Sequence, residues 1–179
     1  MASATRRCVA AAVLMLSACS GDATPAATTT APSTTVGAAA KALPLVGDID
    51  DAVAALEAKL GAPQEFFEIN ATTQLVNLIV ALNDGKVAQP WVYLDGQLSS
   101  AEAAPANGHT FVATALDFDP DKVLTQVQSQ LPQASLDLFF VEGGEGGIVQ
   151  YSVAATSQQG GQLVVVVGPD GTVQSVNPN

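Results

Sequence analysis

The residues best equipped for chemistry in this chain are its carboxylates, and some of them gather in short runs. Asp117-Phe118-Asp119-Pro120-Asp121 has the alternating aspartates with which a calcium loop begins. A helix–loop–helix calcium site starting at Asp117 also needs glycine at its sixth position and a bidentate glutamate at its twelfth. Lys122 and Gln128 stand there instead. Asp48-Ile49-Asp50-Asp51 is read the same way. Both runs suit the start of a helix, where a short carboxylate accepts from free backbone amides. His109 is the sole histidine and the folded part holds no cysteine, so a zinc site built from nitrogen and sulfur ligands cannot be assembled. Glu142-Gly143-Gly144-Glu145-Gly146-Gly147 is glycine-rich, yet no helix follows it and its two carboxylates would repel a phosphate. It reads as a hairpin tip, as does Gln158-Gln159-Gly160-Gly161. Serines and aspartates abound, but there is no Gly-x-Ser-x-Gly elbow, and His109 after Asn107-Gly108 fits an exposed strand start. The sequence therefore predicts no catalytic residue, no metal and no cofactor, and the chain is read as a non-enzyme.

The aromatic residues offer a different chemistry. In Pro90-Trp91-Val92-Tyr93-Leu94 the rings alternate with Val92 and Leu94, so on a strand Trp91 and Tyr93 share one face. Should helices cover the valine face, the aromatic face stays open, and Tyr151 in a later hairpin joins it. Exposed Trp and Tyr are what a protein interface uses. The alternative is a face half-buried by loops, since aromatic residues suit strands in any case. Trp91, Tyr93 and Tyr151 are the candidate binding residues.

Covalent chemistry is expected at the N-terminus. Basic Arg6-Arg7 precede an apolar run from Val9 to Leu16, and Leu16-Ser17-Ala18-Cys19 ends it. Basic, apolar and small-residue parts in this order make a secretory signal. The apolar run is about half of the ~20 residues that a spanning helix needs. Leu16-Ser17-Ala18-Cys19 resembles the lipobox of bacterial lipoproteins. That resemblance implies a signal peptide over residues 1–18, thioether-linked diacylglycerol on Cys19, and fatty acylation such as palmitate on its amine. Two or more acyl chains anchor stably where one is marginal. The alternative is an ordinary cleaved signal followed by a coincidental cysteine. The expected location is the extracytoplasmic face of the cell membrane, lipid-anchored, with the membrane as one partner and a cell-envelope protein as the other.

Residues 19–42 change composition sharply: Ala, Thr, Pro and Ser dominate, with Pro25, Pro32 and Thr28-Thr29-Thr30. Such a segment cannot bury enough surface to offset its ordering entropy, so it is predicted to be a disordered linker. Its r.m.s. reach is about 25 Å. Its threonines resemble those O-glycosylated in linkers of actinobacterial lipoproteins, whereas Asn70-Ala71-Thr72 matches an N-glycosylation sequon by chance. Cys8 would leave with the signal, making Cys19 the only cysteine of the mature protein, so no intramolecular disulfide supports the fold. Loss of Arg6 and Arg7 takes the formal charge from −11 to −13. That acidity repels nucleic-acid phosphates and anionic headgroups, which excludes nucleic acid as a partner and leaves membrane attachment to the lipid. Its plainest consequence is solubility.

The remaining residues, 43–179, are predicted to form one globular domain. Asp48 or Asp50 can cap a helix with apolar positions Ile49, Val53, Leu56 and Leu60, ended by Gly61. Strand-like runs follow at 66–69, 75–82, 87–94 and 109–117, with Asp84-Gly85 and Asp95-Gly96 as turns. The order then recurs. Asp119 caps, Pro120 takes the first helical position, Val123, Leu124, Val127 and Leu131 form the stripe, and Pro132 stops the helix. Strands are expected at 136–141, 148–155, 163–167 and 172–176, the last after the turn Gly168-Pro169-Asp170-Gly171. The expected fold class is α+β: two helix-plus-antiparallel-meander repeats, about 45–117 and 118–179, with the helices packed on one face of an antiparallel sheet.

Phe118-Asp119-Pro120 before the second helix, and Gly161-Gln162-Leu163-Val164 with Asp170-Gly171-Thr172-Val173 at the end, resemble small actinobacterial lipoproteins with tandem PepSY-like repeats. The β-lactamase-inhibitor-protein fold is similar. The resemblance covers about 45–177 and carries no active-site motif. It implies a non-enzymatic protein-binding domain of inhibitory type. The alternative is a small-molecule or lipid carrier with an apolar cavity between helices and sheet.

Overall fold

The structure is a computed structural model and describes residues 42–179. The expected signal peptide, Cys19 and the linker up to residue 41 lie outside the described residues. Among the described residues no helix is long and apolar enough to cross a membrane.

A 3-10 turn at Val46–Asp48 leads into α1, Ile49–Leu60. Ile49, Ala52, Val53 and Leu56 are buried, the spacing that gives a helix one apolar stripe. Asp48 stands at the N-cap but its side chain makes no capping hydrogen bond; Asp50 and Asp51 lie in the first turn, where the helix dipole favours negative charge. Gly61, at φ 81°, closes the helix by donating its N–H to the Glu57 carbonyl.

The strands are β1 (Glu65–Thr72), β2 (Val76–Leu82), β3 (Val87–Leu94), β4 (Gln97–Ser100), β5 (Ala104–Pro105), β6 (Phe111–Val112), β7 (Ser135–Gly143), β8 (Val149–Thr156), β9 (Gln162–Val167) and β10 (Val173–Pro178). All belong to one antiparallel sheet ordered β10-β9-β8-β7-β1-β2-β3-β4, with β5 on β3 and β6 on β1. Bulges interrupt β1 between Phe66 and Glu68, β7 between Leu136 and Leu138, and β10 between Val173 and Ser175.

The expected α+β class with two helix-plus-meander repeats is thus corrected. The molecule is dominated by one continuous ten-stranded sheet carrying two short helices. The physical reason is the seam: Glu68–Thr72 of β1 pair with Leu138–Glu142 of β7, so the strands of both halves are one hydrogen-bonded body. The strand expected over 109–117 shrinks for the same reason. β7 already occupies the edge of β1 from Glu68 onward, so β6 pairs only with Glu65 and Phe66 before the chain turns into a 3-10 segment at Ala113–Ala115.

The second helix, α2, spans only Val123–Gln130, with Val123, Leu124 and Val127 buried. Pro120 is not its first residue. Asp119 Oδ1 accepts from the Asp121 N–H and its other oxygen pairs with the Lys122 ammonium, a local turn that delays the helix by three residues. The far end of α2 is fixed by Gln130, whose side-chain amide donates to the Gly171 carbonyl and whose oxygen accepts from the Val173 N–H.

The core lies between the helices and one sheet face. Phe66, Ile69, Ala71, Val76, Leu78 and Val80 on β1 and β2, and Phe139, Val141, Val153, Val165 and Val167 on β7 to β9, are all buried there. The rings of Phe118, Phe139 and Tyr151 lie 5.3 to 6.1 Å apart, and Phe66 sits 5.9 Å from Phe111.

Candidate functional site

Strand register decides what each candidate residue can do. Trp91 is paired with Leu78 and Ser100, Tyr93 with Val76 and Leu98, and Tyr151 with Val141 and Val167. Val76, Leu78 and Val141 belong to the core face, so the aromatic side chains point beneath the helices. Trp91 is 7% exposed and Tyr151 4% exposed, and Tyr93 is partly buried against the same core. The expectation of an open aromatic face is therefore corrected: the rings do share a face, but it is the covered one. Lys59 of α1 lies with its ammonium 5.6 Å from the Trp91 ring centre, a cation–π contact over the indole.

Tyr151 has a positioning task instead. Its hydroxyl donates to Asp117 Oδ1 at 2.8 Å and accepts from the Asp117 N–H at 3.2 Å, holding the loop before α2. Burial, with the charge of Asp117 adding to it, pushes the phenol up to about 12. The folded state thus prefers the neutral phenol. That preference stabilises fully below the ordinary value of 10.0 and is lost as pH rises toward 12. Tyr151→Phe is expected to lose about 1 kcal/mol at neutral pH, the ordinary worth of such a bond, and to lack the steep alkaline loss of the native protein. Urea midpoints measured between neutral and strongly alkaline pH check both.

The other face of the sheet is the one that no described helix covers. On it Ile79, Pro90, Val92, Leu138, Phe140, Val164 and Val166 are partly buried and Leu94 is 45% exposed. Sequence reasoning missed this surface, although its signal was present: Asn77 and Asn70 fall out of phase with the apolar residues of β2 and β1, and their registers carry that phase to Val92 and Phe140. At its centre is a polar network. The Asn77 side-chain amide donates to Asn70 Oδ1 at 2.7 Å, and the Asn70 amide donates to Glu68 Oε1 at 2.6 Å.

Glu68 is paired across the seam with Glu142. Both line a cavity of about 430 Å³ with Phe67, Ile79, Ala88, Gly143 and the 106–109 loop, which brings in His109. Gly143 lets that loop approach: a Cβ there would collide with the His109 carbonyl. Partial desolvation of this largely exposed residue, then the charge of Glu68, raises the pKa of the Glu142 carboxyl above the ordinary glutamate value. Among the described residues no group of three or more His, Cys, Asp or Glu is arranged to hold a metal.

The expected glycine-rich hairpin tip between β7 and β8 contains a 3-10 turn at Glu145–Gly147, with Gly146 and Gly147 at positive φ, and presents Ile148 at 65% exposure. No protein-family model, curated protein or solved structure matches the chain.

Proposed function

We propose that this chain is a lipid-anchored extracytoplasmic protein whose folded domain binds another envelope protein, without catalysis of its own, across the uncovered face of its sheet. The observation that carries this reading is that face. Partly buried Ile79, Pro90, Val92, Phe140 and Val166 surround the hydrogen-bonded Asn77–Asn70–Glu68 centre, an apolar surface with a small, fixed polar pattern. Acidity selects the partner's character, since an acidic domain is steered toward basic protein surfaces and away from phosphate-bearing polymers. Blocking an envelope enzyme would be one consequence of such docking. The carrier reading has less support, since Ile49, Leu56, Phe66, Leu78, Val127 and Phe139 between helices and sheet are each 0% exposed. The anchor rests on Leu16-Ser17-Ala18-Cys19.

Crosslinking in intact cells followed by capture tests the docking face. Val92→Lys combined with Phe140→Lys, shown by circular dichroism to remain folded, is expected to lose a specific protein captured by the native chain. Capture unchanged by that pair of substitutions would overturn the reading. Metabolic labelling with a fatty-acid analogue is expected to mark the native chain and to be lost in Cys19→Ala; labelling retained in that variant would remove the anchor.

A further inference from the structure

We infer that Glu68 and Glu142 form a proton-sharing pair that fastens the middle of the sheet when the surroundings turn acidic. The two residues stand directly opposite each other in the β1–β7 ladder, the pairing that joins β7–β10 to β1–β4. Side chains so placed have Cβ atoms about 5 Å apart, and like charges there repel. The surroundings do not neutralise them. On β2, Ile79 is opposite Glu68, and on β8, Gln150 is opposite Glu142. The loop bordering the cavity offers His109. Among the described residues the one salt bridge is Lys122 with Asp119, so neither glutamate has a basic partner at ion-pair distance.

Asn70 fixes one oxygen of Glu68 by donating to it, which leaves the other oxygens of the pair to share a proton. A carboxylic acid donating to a carboxylate makes one of the stronger hydrogen bonds available to side chains. One proton taken from solvent thus replaces a repulsion across the seam with a bond across it. The raised position of the Glu142 carboxyl, from partial desolvation and from Glu68, agrees with this arrangement.

The linkage follows from that direction. A carboxyl that holds its proton more tightly folded than unfolded stabilises the fold fully below the unfolded glutamate value. The gain disappears as pH rises through the folded value. Asp119 and Asp170 have the opposite sign, held below the ordinary value by hydrogen bonds to Lys122 and Thr172 respectively, so subtraction against a variant is needed to isolate the pair.

Carboxyl-carbon NMR titration of the native protein reads the pair directly. Glu142 is expected to titrate above the ordinary glutamate range. In Glu68→Gln the Glu142 inflection moves down toward the ordinary value. Urea midpoints of Glu142→Gln should lie at or above the native midpoint at neutral pH, and fall below it under acid conditions. A Glu142 inflection that Glu68→Gln leaves unmoved would overturn the pair. A midpoint difference between Glu142→Gln and native that does not change with pH would overturn the fastening. Neither measurement involves a binding partner, so the outcome is separate from that of the docking face.

Discussion

Phe139→Ala is expected to cost about 3–5 kcal/mol, the range for removing a fully buried aromatic side chain from a packed core. Phe139 is 0% exposed, lies on the core side of β7 beside the seam, and its ring is 5.3 Å from Phe118 and 6.1 Å from Tyr151. Truncation would leave a void where three rings meet, and β7 pairs with neighbours on both sides, which limits collapse of the sheet into it. Against the 5–15 kcal/mol typical of whole domains, roughly a fifth or more of the stability would go. Urea unfolding is the check, with a lower midpoint and an unchanged slope. A loss below about 1 kcal/mol would mean that this cluster is not packed as described.

Gly171→Ala is expected to be nearly as damaging, through the backbone. Gly171 has φ 81°, a left-handed conformation that costs an ordinary L-residue about 1–2 kcal/mol. A Cβ there would also collide with the carbonyl oxygen of Val123 and crowd the Gln126 side chain. The turn before β10 and the first turn of α2 would have to separate, straining the Gln130 bonds to Gly171 and Val173. A total loss of about 2–5 kcal/mol follows from adding overpacking to the conformational term. Gly61→Ala is the control: φ is again 81°, but nothing lies within 4 Å of the added carbon, so only the conformational part remains. Hydrogen exchange should show α2 amides losing protection in Gly171→Ala and not in Gly61→Ala. Equal losses in the two variants would refute the collision.

Local order was legible in the sequence because local rules govern it. The stripe of Ile49, Val53 and Leu56 and the stop at Gly61 specify α1, and the run Val87–Leu94 is a strand with the boundaries its composition implies. Asp95-Gly96 makes the tight hairpin expected of that pair, with φ 50° and 77°. What depends on partners far along the chain was not legible. The phase of Trp91 and Tyr93 is plain from alternation, but which phase is covered depends on Leu78 and Val76 lying opposite them. His109 to Asp117 has strand-like residues, yet most of the edge it would need belongs to β7. The pairing of Glu68 with Glu142, 74 positions apart, is likewise a property of the seam and of no local motif.

The outermost strand, β10, is also shaped against strand addition by another chain. The Asn179 N–H donates inward to the Gln162 carbonyl, so along the ladder Asn177 also faces β9 while Val176 and Pro178 face outward. Proline has no N–H to offer there, and the bulge between Val173 and Ser175 bends the upstream half away from a straight template. At the opposite rim β4 is only four residues long. A sheet border invites neighbouring chains to add strands, and among the described residues both borders offer a template that is short or poor in free amides.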